Sequence, residues 1–374
     1  MAAAEKYDSD REIRLGWRFV DAGKPRLALA CFKRAAVSGN VRALTAMGLM
    51  YDYPENGLRR NAKEACRWYY LAARKGDTRA QNNLARLFAQ GDGVRKSMRR
   101  AVFWYRKAAE GGNEAAQYNL ADKYYWGNGI RKNIREAVKW YKQAALQGAL
   151  DAQFELGDIY SSGLDGIRKN NKEAVRWFKM AAEGGHEGAQ TTFGVHLFYG
   201  QGIKKDREKA LTWYRKASRK GECNAQANIG RCYKNGHGIE RNLHKAHMWF
   251  LKAAEGGNAK ACLSLASAYE EGEGVPKDLK KMAYWYRKAA LRGDAEGMRE
   301  LGICYHDGRG VRRNFTVAVK WYRKAARNGD SWAQYCLGMC YRDGEGVPRN
   351  RGIAKKWFRT AAANHVSEAR KALL

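Results

Sequence analysis

The apolar positions of the chain follow two alternating patterns, each with the spacing of an α-helix. The first contains Ala, Leu or Ile, a small residue and Tyr at steps of four, one and three, as in "AQYNLADKYYWG" and "AQYCLGMCYRDG". These steps place the four residues on one helical face. The second contains Trp, another aromatic residue and two alanines, as in "AVKWYKQAA". The alternation predicts pairs of short helices, which we call the LG helix and the WY helix.

The Trp of the second pattern recurs at a fixed distance along the chain. Successive residues of this series are 36 positions apart, except for one gap of 37: Trp68, Trp104, Trp140, Trp177, Trp213, Trp249, Trp285, Trp321 and Trp357. The extra residue lies in "SSGLDGIRKN", where another repeat reads "WGNGIRKN". Such an insertion in a turn costs little. A period of this length identifies an array of helical repeats.

The start of each WY helix is marked by a capping residue seven positions before the Trp. These residues are Asn61, Ser97, Asn133, Asn170, Asp206, Asn242, Asp278, Asn314 and Asn350. Asn, Asp and Ser are favoured N-caps because the side chain accepts a bond from a free backbone N–H. Glu64, Glu136 and Glu173 stand three residues after their caps, as in a capping box. A helix is predicted from each cap to the glycine that follows the Trp.

The repeat as a whole resembles the Sel1-like repeat, a relative of the tetratricopeptide repeat. Its consensus reads "A-x-x-x-L-G-x-x-Y-x-x-G-x-G-V-x-x-N/D-x-x-x-A-x-x-W-Y-x-K-A-A-x-x-G", and the resemblance covers essentially the whole chain. We therefore predict an all-α fold, a right-handed α/α solenoid of about ten stacked helix-turn-helix repeats. The solenoid is expected to span residues 1–374, with a divergent capping pair in 1–40, regular repeats in 41–364 and a capping segment in 365–374.

Charge is divided unevenly between the two helices of the repeat. The chain has 70 Lys and Arg against 38 Asp and Glu, a net charge of +32. The eight full LG segments nevertheless contain only 8 Lys and Arg against 16 Asp and Glu. The resemblance implies that LG helices line a concave groove and WY helices the convex face. The groove is therefore expected to be mildly acidic and the outer face strongly basic.

A cation also stands eight residues before every Trp, in the turn that leads into the WY helix. We call these residues the basic ridge: Arg60, Lys96, Lys132, Lys169, Lys205, Arg241, Lys277, Arg313 and Arg349. Two interpretations remain open. Exposed cations keep a repeat array in solution, and an excess of this size also attracts an acidic partner.

Aromatic and long side chains occupy the LG-helix positions that should point into the groove. These are Tyr118, Tyr125, Phe154, Phe198, Trp332, Tyr335, Met339 and Arg342. Exposed aromatic groups are favoured where proteins bind peptides or other proteins. The alternative is that they pack against the neighbouring repeat.

The cysteines and histidines do not form a recognisable chemical site. Cys223 and Cys232 are nine residues apart on one helix, about 13 Å at the helical rise, beyond the reach of a disulfide at about 7 Å. Cys232, Cys304 and Cys340 share a position that is Leu or Ile in other repeats, which indicates packing. The seven histidines lie in different positions of the repeat. No Ser-His-Asp order, phosphate-binding loop or paired-carboxylate motif is present, so we expect neither an enzyme nor a cofactor, metal or small-molecule substrate.

The predicted function is that of a non-catalytic scaffold or adaptor, as the resemblance implies. The expected partner is an acidic protein or extended peptide, bound in the concave groove, on the basic ridge or on both. The alternative is a nucleic acid or ribonucleoprotein whose phosphates are held by the ridge. In residues 310–330 Trp321 is expected in the core, which leaves the aromatics of that segment largely unavailable for stacking. Without an apolar leader or a run of eighteen apolar residues, we expect a cytoplasmic, monomeric protein with no membrane span.

Overall fold

The computed structural model describes residues 8–373, which contain 21 α-helices, one short 3-10 helix and no strand. The chain divides between His186 and Glu187 into two compact units. The helices of the first unit are α1 Ser9–Asp21, α2 Pro25–Val37, α3 Val41–Asp52, the 3-10 helix Pro54–Asn56, α4 Ala62–Arg74, α5 Thr78–Gln90, α6 Met98–Glu110, α7 Glu114–Trp126, α8 Ile134–Leu146, α9 Leu150–Ser162 and α10 Asn171–Glu183.

The second unit continues the same alternation of helices. Its elements are α11 Glu187–Tyr199, α12 Arg207–Arg219, α13 Cys223–Asn235, α14 Leu243–Glu255, α15 Ala259–Glu271, α16 Leu279–Leu291, α17 Ala295–Asp307, α18 Phe315–Arg327, α19 Ser331–Asp343, α20 Arg351–Ala363 and α21 Ser367–Lys371.

The predicted all-α solenoid of helix pairs is confirmed. Within each unit, every helix packs against the helices before and after it. Helices α1 to α20 form ten pairs, with the LG helix first and the WY helix second, and α21 is the short helix expected after the last pair. Of the predicted capping region 1–40, residues 1–7 lie outside the described part of the chain. Residues 8–40 contain one such pair, α1 and α2, and the turn before α3.

The nine predicted N-caps are all confirmed. Each cap side chain accepts a hydrogen bond from the backbone N–H three residues later, as Asn133 does from Glu136 at 3.2 Å. The expected capping box is replaced by a different bond. The backbone N–H of each cap donates to a carbonyl near the end of the preceding LG helix, and Asn133 N lies 2.9 Å from Tyr124 O. That donor is already used, and Glu173 instead accepts a bond from Trp177 Nε1 at 2.9 Å.

The aromatic residue after the Trp is buried in every regular repeat, whereas the Trp itself is buried only at Trp140 and Trp177. Tyr141 and Tyr214 are completely buried, and Tyr322 is 3% exposed, whereas Trp321 is only partly buried. Trp321, expected in the core, packs against its edge instead of lying inside it. The indole has solvent on one side, where Lys324 Nζ lies 4.5 Å from the ring centroid.

The small residue of the LG helix gives this aromatic ring its space. A Cβ built on Gly302 would lie 2.5 Å from the ring of Tyr322, closer than carbon atoms pack. The same holds at Gly194, where a Cβ would lie 2.6 Å from Tyr214. The recurring "LG" therefore reflects an aromatic ring lying directly on the helix backbone.

Candidate interaction surfaces

The basic ridge is exposed along both units. All nine of its residues are exposed, as the sequence predicts. They occupy the turn between the end of an LG helix and the N-cap of the following WY helix. The structure thus presents one accessible cation at the same place in every regular repeat.

The arginines of the ridge also bind the end of the preceding LG helix. The Nε atoms of Arg241, Arg313 and Arg349 donate to carbonyl oxygens seven residues earlier, at 3.1, 3.0 and 2.9 Å. Arg60 donates in the same way to the carbonyl of Asp52 at 2.9 Å. The last carbonyls of a helix lack partners within it, so these side chains act as C-terminal caps. Sequence reasoning missed this role, because an exposed cation in a turn has the same sequence signature whichever group it binds.

The outer side of the WY helices exposes aromatic rings that the sequence analysis overlooked. Phe103 on α6 is 52% exposed, and Lys107 Nζ lies 5.5 Å from its centroid. Tyr284 on α16 is 50% exposed, with Lys288 Nζ at 5.4 Å. Tyr70 on α4 is 44% exposed. These three rings flank the Trp at positions that most other repeats fill with polar side chains.

Three of the predicted groove aromatics pack on the core ring of their own helix pair. The centroid distances are 5.6 Å for Tyr118 and Tyr141, 5.7 Å for Phe154 and Phe178, and 5.7 Å for Tyr335 and Phe358. Each of these groove residues is partly buried. They combine a packing role with a limited accessible surface.

The remaining groove positions differ widely in exposure. Phe198 is 4% exposed, between the guanidinium groups of Arg207 at 5.3 Å and Arg231 at 5.8 Å, so its expected exposure is wrong. Met339 is partly buried against the last helices of the second unit. Arg342 binds the carboxylate of its neighbour Asp343 through two bonds of 2.8 Å.

Three rings of the LG helices are strongly exposed, Tyr199 at 52% and two tryptophans. Trp332, predicted for the groove, is 46% exposed and contacts Tyr335 edge-on at 6.1 Å. Trp126 is 67% exposed and lies edge-on to the partly buried Tyr125 at 4.9 Å. Trp126 is the last residue of α7 and falls outside the helical spacing used to choose groove residues.

The LG helices of the first unit carry a group of acidic side chains. Burial, followed by the charges of Asp158, Asp122 and Asp151, raises the pKa of Glu155 to about 7. Tyr141 donates a hydrogen bond to Asp122 Oδ1 at 2.7 Å. A face with this charge repels phosphate groups, in agreement with the charge count of the LG segments.

One histidine of the second unit joins two carboxylates. His306 lies 2.6 Å from Asp307 through Nδ1 and 2.8 Å from Glu345 through Nε2. Burial opposes its protonation, but these hydrogen bonds raise the pKa of His306 above its ordinary value. The contact with Glu345 crosses from one repeat to the next, which a scan for partners within a single repeat does not find.

The shared cysteine position is a packing position, as predicted. Cys232, Cys304 and Cys340 are at most 2% exposed. Burial raises the pKa of the Cys232 thiol to about 11 and those of the other two to about 12. Such thiols stay protonated and unreactive at neutral pH. All eight cysteines have free thiols.

Within residues 8–373, no three His, Cys, Asp or Glu side chains are placed to hold a metal ion. No helix in this range is both long enough and apolar enough to cross a membrane.

Comparisons with known proteins agree with this fold. The family model described as the Sel1 repeat matches nine segments, residues 41–77, 78–113, 114–148, 150–186, 194–222, 223–258, 259–294, 295–330 and 333–365. The chain is similar to the crystal structure of c5321, a protective antigen of uropathogenic Escherichia coli strains displaying an SLR fold, with 31% identity and a TM-score of 0.77 over 98% of this chain and 79% of that one.

A second structure extends the comparison. A Sel1 repeat protein from Oxalobacter formigenes is 30% identical, with a TM-score of 0.64 over 82% of this chain and 88% of that one. No curated protein matches the chain.

Proposed function

The chain belongs to the Sel1 repeat family, whose members generally act as non-catalytic scaffolds for protein interactions, and on this premise we propose that it binds an acidic protein or extended peptide along its basic ridge. The observation that carries the proposal is the separation of charge between the two helices of the repeat. The eight full LG segments have a net charge of −8, and the rest of the chain has +40. A field of this kind attracts acidic partners to the ridge and outer face and keeps them from the LG side.

The regular spacing of the ridge favours an extended partner. An exposed cation recurs once per repeat, at the same turn. A single acidic side chain gains little from one exposed cation. An extended chain that contacts several repeats in succession adds these small contributions, because each later contact is intramolecular.

Nucleic acid is the second candidate, and the exposed rings favour it. Phe103 and Tyr70 lie on the basic outer side of α6 and α4, where bases could stack while cations hold phosphates. We rank it second because these rings meet edge-on, Tyr70 with Trp104 at 6.2 Å, and do not form a row of parallel faces. Phe103 stands edge-on to Trp104 at 5.1 Å, and a continuous stacking platform would need rings at matching positions in successive repeats.

A titration with defined probes tests the proposal. We would measure fluorescence anisotropy for a labelled ten-residue Glu-rich peptide and a single-stranded RNA of equal charge, each at two salt concentrations. The ridge variant replaces Lys205 and Lys277 with Glu, leaving the arginine caps intact. The control replaces Arg79 and Lys260, two exposed cations of LG helices, with Glu as well, so that both variants have the same net charge.

The expected result is tighter binding of the peptide than of the RNA and weaker binding at higher salt. Reversing the two ridge lysines should lower peptide affinity by about tenfold, and the control pair should lower it much less. Tighter binding of the RNA would favour the second candidate. Equal losses for both pairs would overturn a specific role for the ridge.

A further inference from the structure

A cavity of about 750 Å³ opens beside the first turn of α8. Arg131, Lys132 and Arg135 line one side of it, and Asp165 and Gly166 form the other. Its volume lies within the range of about 300–1,000 Å³ that is usual for ligand sites. All of these residues belong to the first unit.

The cavity exists because one turn of the array does not close. In regular repeats the second glycine of the G-x-G turn lies against the start of the preceding WY helix: a Cβ built on Gly129 would lie 2.6 Å from Met98 Cβ, and one on Gly274 would lie 2.7 Å from Leu243. At Gly166 the nearest atoms are in the flexible side chain of Arg135, at 3.5 Å. Close backbone contact between the two repeats is replaced by a looser contact with this side chain.

The inserted residue explains the open turn. Leu164 and Asp165 stand between the two glycines, where regular turns have one residue. In the regular turn after α7, Gly127 N and Asn128 N both donate to the carbonyl of Lys123. After α9, Gly163 N donates to Ile159 at 3.0 Å, and the longer loop then forms its own bond from Ile167 N to Leu164 O at 2.7 Å. Asp165 has a φ of 30°, unusual for a residue with a side chain.

The lining of the cavity suits an anionic group next to an apolar one. Lys132 is paired with Asp165 at 2.6 Å, so the cavity keeps an excess of two positive charges. Tyr124, Ile130 and Ile134 supply an apolar wall. An acidic side chain of a peptide would meet the guanidinium groups, which bind carboxylates through paired bonds, while a neighbouring apolar side chain covers the wall.

We propose that this open turn is the anchor site for an acidic peptide segment of the partner. The inference rests on the proposed function and adds to it a specific position on the ridge. The adjacent repeat offers a matched comparison, because Arg95, Lys96 and Arg99 repeat the pattern of Arg131, Lys132 and Arg135 at a turn that is closed. Charge alone predicts binding at the closed turn that is at least as tight, because Asn128 stands there in place of the leucine and Asp165 of the open turn. An anchor site predicts binding at the open turn.

The first test compares two charge reversals with the labelled Glu-rich peptide. Arg131→Glu with Arg135→Glu should lower affinity by about tenfold or more. Arg95→Glu with Arg99→Glu, the same change at the closed turn, should lower it by roughly threefold or less. Circular dichroism confirms that both variants are folded. Equal losses would overturn the anchor site and leave the proposed function standing, whereas a wild-type chain that ignores the peptide would overturn both.

Deletion of Asp165 provides a second test, in which the effect of charge and the effect of closing the cavity have opposite signs. The deletion restores the regular G-x-G spacing and removes one negative charge from the cavity. If charge alone governed binding, peptide affinity would rise; closure of the cavity should instead lower it. Inorganic pyrophosphate serves as competitor. Displacement of the peptide at equal concentrations would show a general anion site and refute the assignment to an acidic peptide, and weak competition would support it.

Discussion

Replacement of Glu155 by Gln should stabilise the first unit at neutral and alkaline pH. Glu155 lies on α9 and is partly buried, and burial and the carboxylates of Asp158, Asp122 and Asp151 all disfavour its charged form. Gln keeps the shape of the side chain and removes the charge. The substitution therefore isolates the electrostatic cost of this position.

The sign and size of the effect follow from the pKa. Between pH 4.5 and about 7 the folded chain keeps the proton of Glu155, while the unfolded chain has lost it. Stability therefore falls as the pH rises through this window, and the full cost is present above it. The difference from the ordinary value of 4.5 corresponds to an upper limit of about 3 kcal/mol. Because the carboxylate keeps contact with water, we expect roughly half of this, about 1.5 kcal/mol.

Amide hydrogen exchange of α9 is the suitable assay, because a repeat array does not unfold in a single step. The opening free energy of α9 would be compared between wild type and Glu155→Gln at pH 5 and at pH 8. We expect a clear gain at pH 8 and a much smaller one at pH 5.

Glu300 provides the matched control, because it occupies the same position of its repeat on α17. Its carboxylate is paired with Arg299 at 2.7 Å, and Arg299 is largely buried. Glu300→Gln should therefore destabilise α17, the opposite sign. A Glu155→Gln variant that lost stability at pH 8, or gained equally at both pH values, would refute the reasoning.

Two further predictions concern the second unit. Tyr322→Ala should lower the opening free energy of α18 by about 3–5 kcal/mol and Trp321→Ala clearly less, because only the tyrosine is fully enclosed; amide hydrogen exchange of α18 measures both, and a larger loss for the tryptophan would contradict the assignment of the core. His306→Gln should destabilise more at pH 6 than at pH 9. The contacts with Asp307 and Glu345 raise the pKa of His306 despite its burial, so its contribution is complete below the ordinary pKa and lost as the pH rises through the folded one; equal losses at the two pH values would argue against it.

The fold could be predicted from the sequence because the signals for the start and end of a helix recur in each repeat. Asn314 marks the start of α18, and Gly329 follows the end of the same helix. Nine repetitions average out the accidents of any single segment, so the helix pairs and their caps are where the spacing places them. The same averaging concealed which aromatic forms the core. Trp321 and Tyr322 are neighbours in the sequence, so the repeat period does not distinguish them. Only the path of the backbone decides which ring faces the LG helix.

The candidate surfaces were harder to predict because they depend on contacts between repeats. His306 meets Glu345 from the following repeat, and Arg135 borders a turn 31 residues later at Gly166. The insertion near Asp165 is visible in the sequence as a gap of 37 residues between Trp140 and Trp177. The sequence does not show whether an inserted residue is accommodated in a closed turn or opens a cavity. Gly57 illustrates the difference: its turn is also longer by one residue, yet a Cβ built there would lie 2.9 Å from Pro25.

The basic ridge combines two roles, helix capping and the presentation of exposed charge, and the sequence does not separate them. Where Arg241 or Arg313 occupies the position, its Nε donates to a helix carbonyl. The side chain therefore stabilises the fold whether or not a partner is bound. Lys lacks the rigid planar fork with which Arg holds that carbonyl, so a ridge lysine such as Lys205 contributes mainly an exposed charge. The recurrence of a cation at this turn is therefore structural where the residue is Arg, and the ridge lysines support binding most directly. Evidence for binding must come from positions where the cations exceed what capping requires, and the open turn beside Arg131 and Arg135 is such a position.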